Sequence, residues 1–70
     1  MRYLVVVEEG PSSFAYVPDL PGCVAVGETR EEALALIRDG IEFHIEGLKE
    51  AGQSIPRPSS TAEVVDVHAA

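Results

Sequence analysis

Positive charge and sulfur are both scarce in this chain of 70 residues. Five lysines and arginines stand against twelve aspartates and glutamates, a formal net charge of -7. That balance argues against direct nucleic-acid binding by this chain alone, because phosphate contacts need a basic surface. It suits a basic protein partner, whose approach long-range attraction would speed, and it serves solubility equally well. The single cysteine, Cys23, excludes an internal disulfide and leaves no cysteine pair for a metal cluster. No apolar run approaches the ~18 residues that a membrane span needs. The start MRYLVVVEEG has neither the length nor the small-residue cleavage site of a secretory signal. A cytoplasmic protein with no membrane partner is expected.

What is present suffices for one domain, residues 1–70. The composition is 46% hydrophobic and 24% charged, a globular profile. A chain this short buries only about 60% of the surface its unfolded form exposes. Its core must be thin, and a homo-oligomer, a dimer or tetramer, is expected.

Residues 2–8, RYLVVVE, read as a strand that is apolar on both faces, with Tyr3, Val5 and Val7 on one and Leu4 and Val6 on the other. Gly10 and Pro11 mark a turn, and residues 14–17, FAYV, read as a second strand paired with the first. Pro18 cannot donate to a ladder, so this strand ends near it. Leu20, Pro21, Gly22 and Cys23 then fit a type II turn: Pro21 pre-sets its own φ, and Gly22 tolerates the positive φ that follows. A short third strand, CVAVGE, leads to Thr29, which begins a capping box with Glu32.

The helix is predicted from Arg30 to Ala51, with Gly52 as its stop. Its apolar stripe is Leu34, Ile37, Ile41, His44, Ile45 and Leu48, at steps of three and four. Gly40 and Gly47 each cost about 1 kcal/mol against alanine inside a helix. Either a close approach to another backbone explains them or nothing does. QSIPRPSS reads as an extended linker, residues 61–67, TAEVVDV, as a last strand, and HAA as a frayed tail. The fold class is therefore α+β, order β-β-β-α-β: a four-stranded mixed sheet with one helix on one face, its crossover right-handed where the flanking strands are parallel. One helix shields one sheet face, and an apolar face left open asks for a second subunit.

Three segments together carry a family resemblance: the run from Asp19 to Cys23, the helix start GETREEA, and Ile55-Pro-Arg-Pro-Ser59. Through them, and over nearly the whole chain from Tyr3 to Val67, the sequence resembles the HicB-like antitoxins of HicA–HicB toxin–antitoxin systems. The resemblance implies a partial RNase H-like fold. It implies a HicA-like partner, a small basic toxin that cleaves mRNA through a catalytic histidine and whose active site the antitoxin covers. Many members also carry a C-terminal helix-turn-helix or ribbon-helix-helix domain for operator binding. This sequence ends at Ala70 without that segment, so a stand-alone member that does not bind an operator by itself is expected.

An enzyme is not expected, and no catalytic, cofactor or metal residue is assigned. Cys23 with His44 or His68 as base would need hydrogen-bond contact and an orienting third group, and core filling is the better reading. His44 has no second metal ligand at a fitting spacing. Asp19 as a nuclease carboxylate would need converging partners, and the first strand offers only Glu8. A turn aspartate bonded to its own backbone is the alternative. Leu20 either plugs the sheet edge or contacts a partner. Glu42 and Glu46, on the acidic helix face, are the expected toxin contacts together with Leu20. Tyr3, Val5, Val7, Leu36 and Phe43 are the expected oligomer contacts, and Pro21, Gly22, Cys23, Thr29 and Glu32 are architectural. The alternative function is a homo-oligomeric or small-ligand-binding protein of the same fold without a toxin.

Overall fold

The computed structural model describes residues 1–68: strands β1 (Val6–Glu9), β2 (Ser13–Tyr16) and β3 (Val24–Gly27), then one helix, α1 (Arg30–Glu50). The strands form an antiparallel meander in the order β1-β2-β3. Its register places Val7, Ala15 and Ala25 side by side on the face that α1 covers. The other face carries Val6, Tyr16 and Val24 in one row and Phe14 and Val26 in the next. The Phe14 and Tyr16 rings stand 5.8 Å apart there. No other element among the described residues covers this face, so the α+β class and the one-sided helix agree with the expectation.

β1 starts at Val6, later than the predicted Arg2. Its partner β2 runs out opposite Val6, since Tyr16 is the last paired residue and Pro18 follows. Residues 2–5 therefore have no ladder, although Tyr3 and Val5 still pack against the core. That core is small: Ala15, Val17, Leu20, Cys23, Ala33 and Ile37 are buried, with Tyr3, Val5, Val7, Ala25 and Ile41 packed against it.

Between β2 and β3 the chain makes two consecutive reversals, each with proline at its second position. The Leu20 amide donates to the Val17 carbonyl at 3.1 Å, and the Cys23 amide to the Leu20 carbonyl at 3.0 Å. Gly22 has φ 84°, as the type II turn requires. Leu20 lies at the junction of the two turns and is fully buried. Of the two readings of Leu20 the plug holds, and the partner contact is corrected: a side chain sealed in the core cannot reach a partner.

Thr29 caps α1 in extended conformation, its Oγ1 accepting from the Glu32 amide at 3.1 Å. The return bond of the capping box falls one residue early, because the Glu32 carboxylate accepts from the Glu28 amide at 3.2 Å, not from Thr29. At the other end Gly52, with φ 69°, closes a Schellman motif: the Gln53 amide donates to Leu48 and the Gly52 amide to Lys49.

The close approach expected at Gly40 and Gly47 lies elsewhere. A Cβ on Gly47 would meet nothing within 4 Å, and one on Gly40 would sit 3.9 Å from the Cys23 sulfur, an ordinary contact. Gly27 is the tight position, where a Cβ would fall 2.6 Å from the Ala33 amide nitrogen. The last strand, expected at residues 61–67, is also corrected. Residues 53–68 form no strand, because an extended segment needs a sheet edge to pair with and this one leaves the body of the domain. Of the tail expected to fray, His68 is exposed, and Ala69 and Ala70 lie outside the described residues.

Gly27→Ala forces backbone against backbone where β3 enters α1 and is expected to lower stability by about 1–3 kcal/mol. Gly47→Ala relieves a helix penalty in open space and is expected to raise it by up to about 1 kcal/mol. Urea denaturation of the two variants checks both signs.

Candidate partner-binding surfaces

The outer face of α1 concentrates negative charge around one aromatic ring. Asp39, Glu42 and Glu46 follow steps of three and four, and all three are exposed. Phe43 projects among them and is 83% exposed. Asp39, Glu42, Phe43, Ile45 and Glu46 line a shallow depression. Leu36 lies two turns before Phe43 on the same side of the helix and is also exposed. An apolar ring rimmed by carboxylates is shaped for a cationic side chain with an apolar stem. An arginine can pair with a carboxylate and lay its guanidinium on the ring at once.

A second constellation ties the segment after α1 to the turn before β3. The Asp19 carboxylate accepts four hydrogen bonds: from the Ser59 amide at 3.0 Å and hydroxyl at 3.0 Å, and from the Ser60 amide at 2.9 Å and hydroxyl at 2.8 Å. These donors, the Ser60 amide foremost, hold its carboxyl at about 2, below the ordinary 3.8. The Tyr3 hydroxyl donates to the Pro56 carbonyl, so residues 56–60 are pinned at two points. Arg2, Tyr3 and Leu4 face Pro58, Ser59, Ser60 and Thr61 across a shared groove. Asp19 is thus a long-range latch and not a turn aspartate bonded to its own backbone. The pair Ser59-Ser60, directly after Pro56-Arg57-Pro58, was the signal for it: clustered hydroxyls and free amides on a proline-stiffened strap.

The remaining assigned residues divide cleanly. Cys23 is buried, and burial pushes its thiol pKa up, which leaves it a poor nucleophile. His44 is half-buried on the apolar stripe of α1. Tyr3, Val5 and Val7 are half-buried on the helix side of the sheet, at its β1 edge. Glu42 and Glu46 lie with Phe43, whereas Leu20 does not reach that surface. No group of three metal-ligating side chains occurs among the described residues. No helix among the described residues is long and apolar enough to cross a membrane.

Comparison with known proteins places the chain among relatives. The profile of a family described as HicB_like antitoxin of bacterial toxin-antitoxin system matches residues 3–69. The UPF0150 protein Ta0767 of Thermoplasma acidophilum is 39% identical over 99% of this chain and the whole of its own length. Antitoxin HicB 2 of Photorhabdus laumondii is 38% identical over 90% of this chain and 46% of its own length. An uncharacterized 14.9 kDa protein of Haemophilus phage HP1 is 31% identical over 94% of this chain and 50% of its own. The chain thus spans the full length of the Thermoplasma protein and about half of the Photorhabdus and phage proteins.

Because the folded-state pKa of Asp19 is depressed, the latch contributes stability above the ordinary carboxylate range and loses it as pH falls from 3.8 toward about 2. The Ser59 and Ser60 amides are expected to be protected from hydrogen exchange at pH 5 and to lose protection across that window. Asp19→Ala should remove their protection at pH 5 as well, while far-ultraviolet circular dichroism of α1 stays unchanged. Protection that persists in Asp19→Ala would mean that the strap is held by other contacts.

Proposed function

The chain belongs to the HicB-like antitoxin family of bacterial toxin–antitoxin systems, and from that premise we propose that it neutralises a small basic, HicA-like toxin by covering the toxin's active site. The observation that carries the reading is the exposed Phe43 set among Asp39, Glu42 and Glu46 on a chain of net charge -7. Neutralisation of this kind requires no chemistry from the antitoxin. It requires a surface that binds faster and holds longer than the toxin meets RNA. The one-signed charge serves the first requirement by steering encounter, and a desolvated aromatic anchor serves the second by slowing release.

The toxin in this reading acts on a polyanion and so presents a basic site. The carboxylates of α1 compete for it in the manner of phosphates, and Phe43 offers a flat apolar face like that of a base. The active form is a cytoplasmic homo-oligomer, a dimer or tetramer, in which contacts between copies leave this helix face free. The reading of a homo-oligomeric or small-ligand protein without a toxin makes a different forecast: no basic protein binds the α1 face at any salt.

Titration calorimetry with a purified small basic toxin of the HicA type tests the proposal. Binding is expected to weaken steadily as salt is raised from low to high, as rim charges require. Glu42→Lys combined with Glu46→Lys should cost tenfold or more in affinity, about 1.4 kcal/mol. Phe43→Ala should speed release with little effect on the association rate. Affinity unchanged by salt and by the charge reversal would remove the α1 face from the interface.

A further inference from the structure

Residues 61–68 leave the domain as an arm that is exposed throughout. Val64 is 96%, Val65 73% and Val67 79% exposed. Three valines in four residues, bare to water, are costly for a soluble chain, and their β-branched side chains suit a strand. Seven residues, 61–67, extend about 23 Å as a strand at ~3.3 Å each. The molecule already measures 52 Å along its longest axis against 27 and 16 Å across.

The sheet offers what the arm lacks. β1 is an edge strand, and its outer backbone groups pair with nothing in the sheet. Open apolar edges recruit strands. α1 lies mainly over β3 and β2 and least over β1, so Tyr3, Val5 and Val7 stay half-buried. Between the segment that leads into β1 and α1 runs a groove lined by Met1, Tyr3, Arg38, Ile41, Glu42 and Ile45.

The arm does not fill this place in its own subunit, even though the Asp19 latch pins Ser59 and Ser60 beside residues 2–4. Edge and arm are both unsatisfied in one copy, and a second copy satisfies both. We propose that residues 61–67 of each copy pair with the outer edge of β1 in a second copy, as a reciprocal strand exchange. Val65 and Val67, which share one side of an extended arm, pack beside Val5 and Val7 and close the groove under α1. The exchange supplies the missing fourth strand in trans and covers the two apolar surfaces together. The latch fixes the point from which each arm departs, so it sets the geometry of the pair. The groove meets the Phe43 depression at Glu42 and Ile45, whereas Asp39, Phe43 and Glu46 lie outside it and are left open, and the exchange holds whether or not a toxin binds there.

Two measurements test it. Light scattering at about 100 µM should give a mass of at least twice the 7.5 kDa chain, and Val65→Asp combined with Val67→Asp should halve that mass. Both valines are exposed within the subunit, so the variant keeps its helical circular dichroism. A wild-type monomer, or a variant of unchanged mass, overturns the exchange. A mixture of isotopically labelled and unlabelled protein then distinguishes copies. Half-filtered nuclear Overhauser spectra should show Val65 and Val67 methyls in contact with Tyr3 and Ile41 of the other copy. Such contacts found solely within one copy would mean that the arm closes on its own edge, and would also overturn the proposal.

Discussion

Everything in this subunit hangs on how α1 leaves β3. At Gly27 the strand comes so near the first turn of the helix that a Cβ would lie 2.6 Å from the Ala33 nitrogen. That approach drops Ala33 and Ile37 directly onto the sheet, where both are buried. With three strands of four residues each, there is little other apolar surface to bury. The double turn from Val17 to Cys23 serves the same contact from the opposite side. It folds Leu20 back beneath the helix and ends on Cys23, whose sulfur fills the space under Gly40. A helix lifted by even one methyl group at Gly27 would loosen all of these packing partners together, which is how a six-residue core comes to be cooperative.

Local chemistry in the sequence located most of this arrangement. Proline followed by glycine marked the type II turn, Thr29 three residues before Glu32 marked the helix start, and Gly52 marked its end. Each of these signals acts over four or five residues, so tertiary context had little room to override it. The apolar stripe of α1 was equally plain, because a period near 3.6 is sustained over several turns. The helix face that carries Glu42 and Glu46 followed from the same periodicity.

Apart from the return bond of the capping box, the errors concern contacts between distant residues. Leu20 was ambiguous because a turn residue can point either way, and its direction depends on two successive reversals and not one. Asp19 looked local, since an aspartate in a turn usually bonds nearby amides, yet its partners are forty residues away at Ser59 and Ser60. The tight glycine was sought in the helix, where glycine is costly, although the crowded position was the strand exit at Gly27. The last strand failed for a related reason. Residues 61–67 have strand composition, but composition cannot supply an edge, and the edge strand of the same chain does not receive them.

These long-range features share a physical logic. The latch uses a half-buried surface carboxylate with four donors, so it anchors the strap without drawing apolar surface out of a thin core. The strap in turn leads into the exposed valines of the arm. Apolar surface is consequently gathered at the sheet edge, the open sheet face and the arm, whereas negative charge is gathered on the outer helix. Surfaces of the first kind attract like surfaces, which favours contact between identical copies. A carboxylate-rimmed ring repels its own image, since two such faces would bring like charges together. The acidic helix therefore disfavours self-association at the face centred on Phe43.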